Sequence, residues 1–255
     1  MYLLVIILEI PDLVEAIIYP EYKVTMNMLL ASLSDKNNDV RVRGLHCLSL
    51  LLTTDLNDEQ VQDIIKILPS IIEVMKFCIE DVDHRVSFGF ELLYTLVEDY
   101  MDYLQHLITD LLKFMLEIGL NSNLEYQNRQ QALYFVETTI AVKPKSFLKS
   151  MLLLDVIKLC FILMTEQEDD PEEAVSKYGS QIIDVIALEI PNQYVWEPIM
   201  EKVVQHMQST SPIHRKAAIT AITVISEGYF PFLFLFHSSL KTTSFYFLKK
   251  MLYTH

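Results

Sequence analysis

Glycine is nearly absent from this 255-residue sequence: Gly44, Gly89, Gly119, Gly179 and Gly228 are its whole supply. Average usage would be about 7%. Hairpin-rich β folds, which need turn residues at positive φ, are therefore disfavoured. No two glycines stand close enough for a dinucleotide-binding G-x-G-x-x-G loop or a Walker loop. Cysteine is scarce too. Cys47, Cys78 and Cys160 are an odd number, lie far apart, and form no C-x-x-C pair. Each sits in an apolar stretch, which reads as reduced core thiols of an intracellular protein.

Positive charge is the third shortage. Twenty Lys and Arg face 34 Asp and Glu, for a net charge of −14. That balance excludes a general affinity for nucleic-acid phosphates, so no direct nucleic-acid partner is expected. It suits basic partners instead. Long apolar runs are missing as well. Tyr2–Ile10 is apolar, but no basic region precedes it and no small-residue cleavage site follows. Pro11-Asp12 reads there as a helix start. Tyr229–Phe236 is far shorter than the ~20 residues a membrane-spanning helix needs. Neither a leader nor membrane insertion is expected.

What the chain does have is apolar mass, 51% hydrophobic against 21% charged residues. That is enough for a sizeable core and too much for a disordered chain. The apolar mass repeats. Asp39-Val40-Arg41, Asp83-His84-Arg85, Gln127-Asn128-Arg129 and Ile213-His214-Arg215 each open an apolar helical pattern. The arginines are spaced 44, 44 and 86 residues apart, the last being twice 43. That period lies within the roughly 40–47 residues of HEAT and armadillo units. Three residues after each arginine stand Gly44, Phe88, Ala132 and Ala218, and seven after stand Leu48, Leu92, Val136 and Ile222. Offsets of +3, +4 and +7 share one helix face. Small residues near its start allow a neighbouring helix to approach closely.

Another apolar helix precedes each arginine helix, around 12–33, 60–79, 99–118, 145–165 and 192–208. Polar turns such as Ser34–Asn38 and Ser209–Pro212 supply N-cap oxygens, with Pro212 in the first turn of its helix. Pro69 is expected to kink its helix. These elements predict an all-α, right-handed superhelical solenoid of about five helix pairs, near 12–54, 58–98, 99–142, 144–190 and 191–228. In the fourth unit acid replaces the arginine. Glu166, Glu168, Asp169, Asp170, Glu172 and Glu173 give six carboxylates and no base. Self-repulsion and Pro171 predict an extended acidic loop. Residues 229–255 differ in composition: they hold no acid, three lysines and nine aromatic residues. They read as a divergent capping segment or as one foreign to the array.

The run Pro212–Gly228, with His214-Arg215-Lys216-Ala217-Ala218 and Ile225-Ser226-Glu227-Gly228, resembles the B helix of a HEAT repeat in the importin-β (karyopherin-β) nuclear transport receptors. Asn128–Leu133 and the acidic Glu166–Glu173 insertion match the same layout. The resemblance covers roughly 35–228 and is strongest to the branch that imports ribosomal proteins and histones. It implies a receptor of about twenty repeats, of which this chain would hold about five from the N-terminal half. It implies basic cargo proteins (ribosomal proteins, histones), Ran GTPase and Phe-Gly nucleoporins as partners. It also implies shuttling between cytoplasm and nucleus, and places the acidic loop where such receptors meet cargo or Ran.

Catalysis finds no support in the residue pattern. The histidines stand in no H-E-x-x-H or H-x-E…C-x-x-C spacing, and no G-x-S-x-G elbow exists. His206 and His214 are eight apart, but a turn is predicted between them. No enzyme activity, cofactor or metal is expected. Arg41, Arg85, Arg129 and Arg215 are expected to pair with Asp39, Asp83 or turn carbonyls as a structural ladder. Trp196, Phe77, Phe114, Met115 and Phe161 are expected in the core. The competing reading is a HEAT scaffold of an unrelated assembly, a phosphatase scaffold or a tubulin-binding array. The acidic insertion counts against the first, and the acidic or neutral turns count against the second.

Overall fold

The computed structural model describes residues 2–80, 85–167 and 174–236, with side-chain surroundings up to residue 226. Regular structure among the described residues is entirely helical. The chain forms two compact units, Met1–Ser146 and Phe147–His255.

The first unit opens with α1 (Tyr2–Leu8), α2 (Pro11–Leu13), a π-helical stretch (Val14–Ile18) and α3 (Tyr22–Leu33). It continues with α4 (Asn38–Leu52), α5 (Asp58–Lys66), α6 (Leu68–Cys78), α7 (Ser87–Asp99), α8 (Met101–Leu104), α9 (Ile108–Leu120) and α10 (Tyr126–Val142). The division between units falls within α11 (Pro144–Lys149). The second unit holds α12 (Leu153–Met164), α13 (Ser176–Glu189), α14 (Asn192–Met207) and α15 (Pro212–Phe236).

Within the first unit, α1, α4, α7 and α10 lie side by side as one layer of B helices. Their A-helix partners α3, α6 and α9 pack on them from the other side. The apolar stretch Tyr2–Leu8 thus takes a B-helix place against α4, a role the 43-residue register did not reveal. In the second unit α12 pairs with α13 and α14 with α15, while α13 packs on α15. The stripe of α4 shows how the pairing follows from periodicity. Val42, Leu45, Leu48, Leu51 and Leu52 recur at helical spacing and all are buried. Phe90, Phe135, Phe147 and Phe161 are also buried, each adding roughly 1.5–3 kcal/mol of apolar transfer.

Proline acts more strongly than expected. Pro69 does not kink a continuous helix; it stands in the first turn of α6, and Ile67 separates α6 from α5. Without an N–H, proline fits a first turn better than a helix interior. Pro20 likewise falls in the break before α3, and Pro144 opens α11. Pro198 lies inside a helix, α14, and Pro231 inside α15. Between α11 and α12 the chain turns through Met151 at φ 62°, the left-handed region. The Ser34–Asn38 turn caps its helix as expected, whereas α10, after Asn121–Asn123, starts without a side-chain cap. Asn37 accepts from the Asp39 N–H at the start of α4, and Asn57 and Gln60 form a reciprocal capping box on α5. At the other end of the array, α15 runs through Gly228 to Phe236 without a break. The remainder of the proposed divergent tail, 237–255, lies outside the described residues.

Three of the scarce glycines sit where an A and a B helix touch. A Cβ on Gly44 would meet Ser32 Oγ at 2.1 Å, and one on Gly89 would meet Met75 Cγ at 2.5 Å. On Gly179 it would lie 2.5 Å from the Cys160 carbonyl oxygen. Gly179 therefore occupies the helix-contact position of the unit whose arginine is missing, which the arginine register alone could not show. The obstacles differ in kind. Met75 can rotate away, whereas the Cys160 carbonyl belongs to the backbone of α12. Gly179→Ala is expected to lower stability by about 1–3 kcal/mol through overpacking, in spite of a helix-propensity gain of about 1 kcal/mol. Gly89→Ala should fall within about 1 kcal/mol of the parent, because those two effects nearly cancel. Thermal melts of the two variants, followed by circular dichroism, check the order.

Candidate binding surface

The arginines of the repeat hold helix ends together. Arg41 Nε donates to the Asp35 carbonyl at 2.5 Å, in the turn between α3 and α4. Arg129 Nε donates to the Gly119 carbonyl at 3.1 Å, near the end of α9. Arg215 donates to the carbonyls of Ser209 and Thr210 at 2.9 and 2.8 Å. Each of these three closes its own A–B turn by capping carbonyls that the A helix leaves open. Arg85 instead reaches the previous repeat, pairing with Asp39 at 2.5 Å. Asp83 lies outside the described residues. Asn128 adds a second tie, its Nδ2 donating to the Ile79 carbonyl at 2.8 Å just past α6. Asn128 and Arg129 are both buried, so one dipeptide anchors α10 to two A helices.

Of the acidic segment, Glu166 follows α12 and its N–H donates to the Leu163 carbonyl. Glu168, Asp169, Asp170, Glu172 and Glu173 lie outside the described residues. In sequence, all six carboxylates fall between the end of α12 and the start of α13.

A second group emerges on the B layer of the first unit. Along α7, Glu91, Tyr94, Thr95 and Glu98 recur at i, i+3, i+4 and i+7 and share the face opposite the buried Leu92, Leu93 and Leu96. On α10, Tyr134 is 47% exposed. Its ring meets that of Tyr94 edge to face at 5.3 Å. The Tyr94 hydroxyl donates to the Gln131 carbonyl at 2.6 Å and lies 2.7 Å from Gln131 Oε1, so the two helices are tied beneath the patch. Partial burial raises the Glu91 carboxyl above the usual glutamate range. An aromatic face beside a partly desolvated carboxylate can hold an ammonium or guanidinium group, through cation–π contact and a charge-assisted hydrogen bond. The repeat register concealed this group, because Tyr94 is matched by Thr138 and Val224 in other units. The polar stripe on α7 was the signal that could have found it.

Other side chains find structural roles. Phe114, Met115 and Phe161 are buried, but Phe77 is 51% exposed. The expectation that Phe77 is core is corrected: its ring lies under the Arg41 guanidinium, 5.7 Å from the ring centre. Trp196 is half-buried beside the buried Val195. Cys47, Cys78 and Cys160 are all buried, and burial pushes the Cys47 thiol up to about 11. Among the described residues no group of three His, Cys, Asp or Glu could hold a metal ion, and no helix is long and apolar enough to cross a membrane. His206 and His214 do meet across the α14–α15 turn, with rings 5.1 Å apart and 21° from parallel. That is a stacked pair, not a ligand arrangement. His206 also packs on Phe161 at 4.8 Å, and its Nδ1 lies 2.9 Å from the Lys202 carbonyl.

Helix pairs of this period, stacked in A and B layers and closed by arginine–carbonyl contacts, define a HEAT-repeat protein. Residues 2–114 match the family model described as IPO5-like, TPR repeats. The 43–44-residue spacing fits HEAT units better than the 34-residue tetratricopeptide unit. The human protein Importin-4 is 25% identical over 223 residues, covering 78% of this chain and 21% of that protein. Mouse Importin-4 is 22% identical over the same shares. Kap121p bound to Nup53p superposes with a TM-score of 0.74 at 20% identity, over 88% of this chain and 23% of that one. Kap121p bound to Pho4p gives 0.72 at 20% identity, with 88% and 25% covered. The chain is similar to importin-β family proteins along much of its length, has the all-α HEAT-solenoid fold of the Kap121p structures, and spans about a fifth of the length of the curated relatives it matches.

The histidine stack generates a pH dependence. Burial first, then the neighbouring His214 and Lys202 charges, hold the His206 imidazole below its ordinary value of 6.5. His46, stacked on Phe88, is lowered by burial and by Arg43. Below pH 6.5 the unfolded chain then binds more protons than the folded one, so stability falls as pH drops through this range. Melting temperatures measured between pH 7.5 and 5.5 should decline, and the slope should flatten in His46→Gln/His206→Gln.

Proposed function

We propose that this chain is part of a nuclear import receptor that captures Lys/Arg-rich segments of basic cargo proteins, ribosomal proteins and histones in particular. The observation that carries this reading is the patch of Tyr94, Tyr134, Glu91 and Glu98 on the B layer. It offers aromatic faces to cationic side chains and carboxylates to their charged ends, on a surface already tied down by the Tyr94–Gln131 contacts. The six carboxylates of Glu166–Glu173 add negative potential in the same chain. Their part is to attract basic segments from a distance and raise the association rate, with strong dependence on salt. The likeness to Kap121p supports the reading, since that protein has been crystallised bound to Pho4p and to Ste12p.

In this mechanism the chain does binding rather than chemistry. The receptor holds cargo in the cytoplasm, passes the pore by contacts with Phe-Gly nucleoporins, and releases cargo in the nucleus when Ran-GTP competes for the array. The paired helices suit that cycle, because each repeat contacts only its neighbours and the array can flex in small steps.

The test uses a fluorescein-labelled Lys/Arg-rich ribosomal-protein tail, titrated with the purified chain across a salt series. Binding should weaken steeply with salt. Tyr134→Ala/Glu91→Gln should lower affinity about tenfold, and a variant with Glu166, Glu168, Asp169, Asp170, Glu172 and Glu173 neutralised should chiefly slow association. Salt-insensitive binding that neither variant changes would refute the proposal.

A further inference from the structure

A pocket of about 340 Å³ opens between α1, α4 and the start of α7, lined by Tyr2, Asp39, Val42, Arg43, Arg85 and Phe88. Its chemistry is the reverse of the rest of the molecule. In a chain with 34 acidic and 20 basic residues, two guanidinium groups and one carboxylate line it among the described residues. Arg85 pairs with that carboxylate, Asp39. Arg43 makes no ion pair among the described residues. It lies over the Tyr2 ring at 4.1 Å and donates to the Tyr2 hydroxyl at 3.1 Å. An aromatic face and a phenol hold a guanidinium in position without neutralising it. Phe88 supplies an apolar wall and is itself backed by the stacked His46 ring at 3.9 Å.

We infer that this pocket is an anion site that takes a carboxylate side chain of an acidic protein segment, distinct in place and in charge from the patch on α7 and α10. Arginine's planar fork matches a carboxylate bidentately, and the Tyr2 hydroxyl takes up one Arg43 donor. Asp39 decides between anions. Beside it, Arg43 offers one positive charge not taken up by an ion pair among the described residues, enough for a monoanion. A phosphoryl dianion would stand against the Asp39 carboxylate. The overall charge of −14 does not prevent binding, since at physiological salt the potential decays over about 8 Å and the nearest charges govern. The receptor would therefore read two signals, a basic segment at one place and an acidic side chain at another. Segments of mixed charge would fit it better than uniformly basic ones.

The probe is a fluorescein-labelled decapeptide in which glutamate alternates with glycine and phenylalanine, compared with its glutamine and phosphoserine counterparts by anisotropy with the whole chain. The glutamate peptide should bind at least about tenfold tighter than the glutamine peptide. Arg43→Gln should abolish that difference with the melting temperature unchanged. Asp39→Asn, at an exposed position, should tighten binding by removing the carboxylate that stands against the anion, and gives an independent reading if Arg43→Gln unfolds the chain. Equal binding of the glutamate and glutamine peptides would overturn the assignment. So would a difference that survives in folded Arg43→Gln, no tightening in Asp39→Asn, or tighter binding of the phosphoserine peptide.

Discussion

The close approach of each B helix to its A helix is the constraint on which the rest depends. A helix pair buries enough apolar surface only if the two backbones come near, and a single Cβ at the contact can hold them apart. Gly44, Gly89 and Gly179 remove that Cβ at the contact in three pairs, and the α10 and α15 pairs use Ala132, Ala217 and Ala218, all buried. Glycine in a helix interior costs about 1 kcal/mol in propensity. A chain so poor in glycine that still places three inside helices, Gly44 in mid-helix and Gly89 and Gly179 in first turns, shows that packing sets those positions.

Close helices leave backbone carbonyls at tight turns, and these need donors. The repeat arginines meet that need. Arg41, Arg129 and Arg215 close the turns of their own repeats, while Arg85 and Asn128 reach into a neighbouring one. Basic residues are thus drawn into structural duty, and much of the acid is left at the surface. The pocket between Arg43 and Arg85 stands out against that background, because there a guanidinium is held by an aromatic ring rather than by a carbonyl or a carboxylate.

Much of this was readable in residue order. The period of 43–44 residues, the polar turns, Pro212 at a helix start and the paired apolar helices all follow from local rules of periodicity and capping. Where the reading fell short, the cause was tertiary. Pro69 ends one helix and begins another rather than bending a single one, because its partner helices allow the chain to turn there. Phe77 is apolar at helical spacing yet exposed, since the Arg41 guanidinium rather than a neighbouring helix lies over it. The run Tyr2–Leu8, too short for the repeat register, shows its role only through its packing on α4.

The sequence by itself determined the class of fold, because hydrophobic period, turn chemistry and repeat length are properties of residues a few positions apart. It also determined the charge and the places where acid gathers. Tertiary structure alone decided which of those groups act together. Tyr94 and Tyr134 are 40 residues apart, and Tyr2 and Arg43 are 41 apart. Stacking one repeat on the next brings each pair into contact. A binding surface on a repeat array is built from single residues of successive units, so its chemistry exists only once the units are packed.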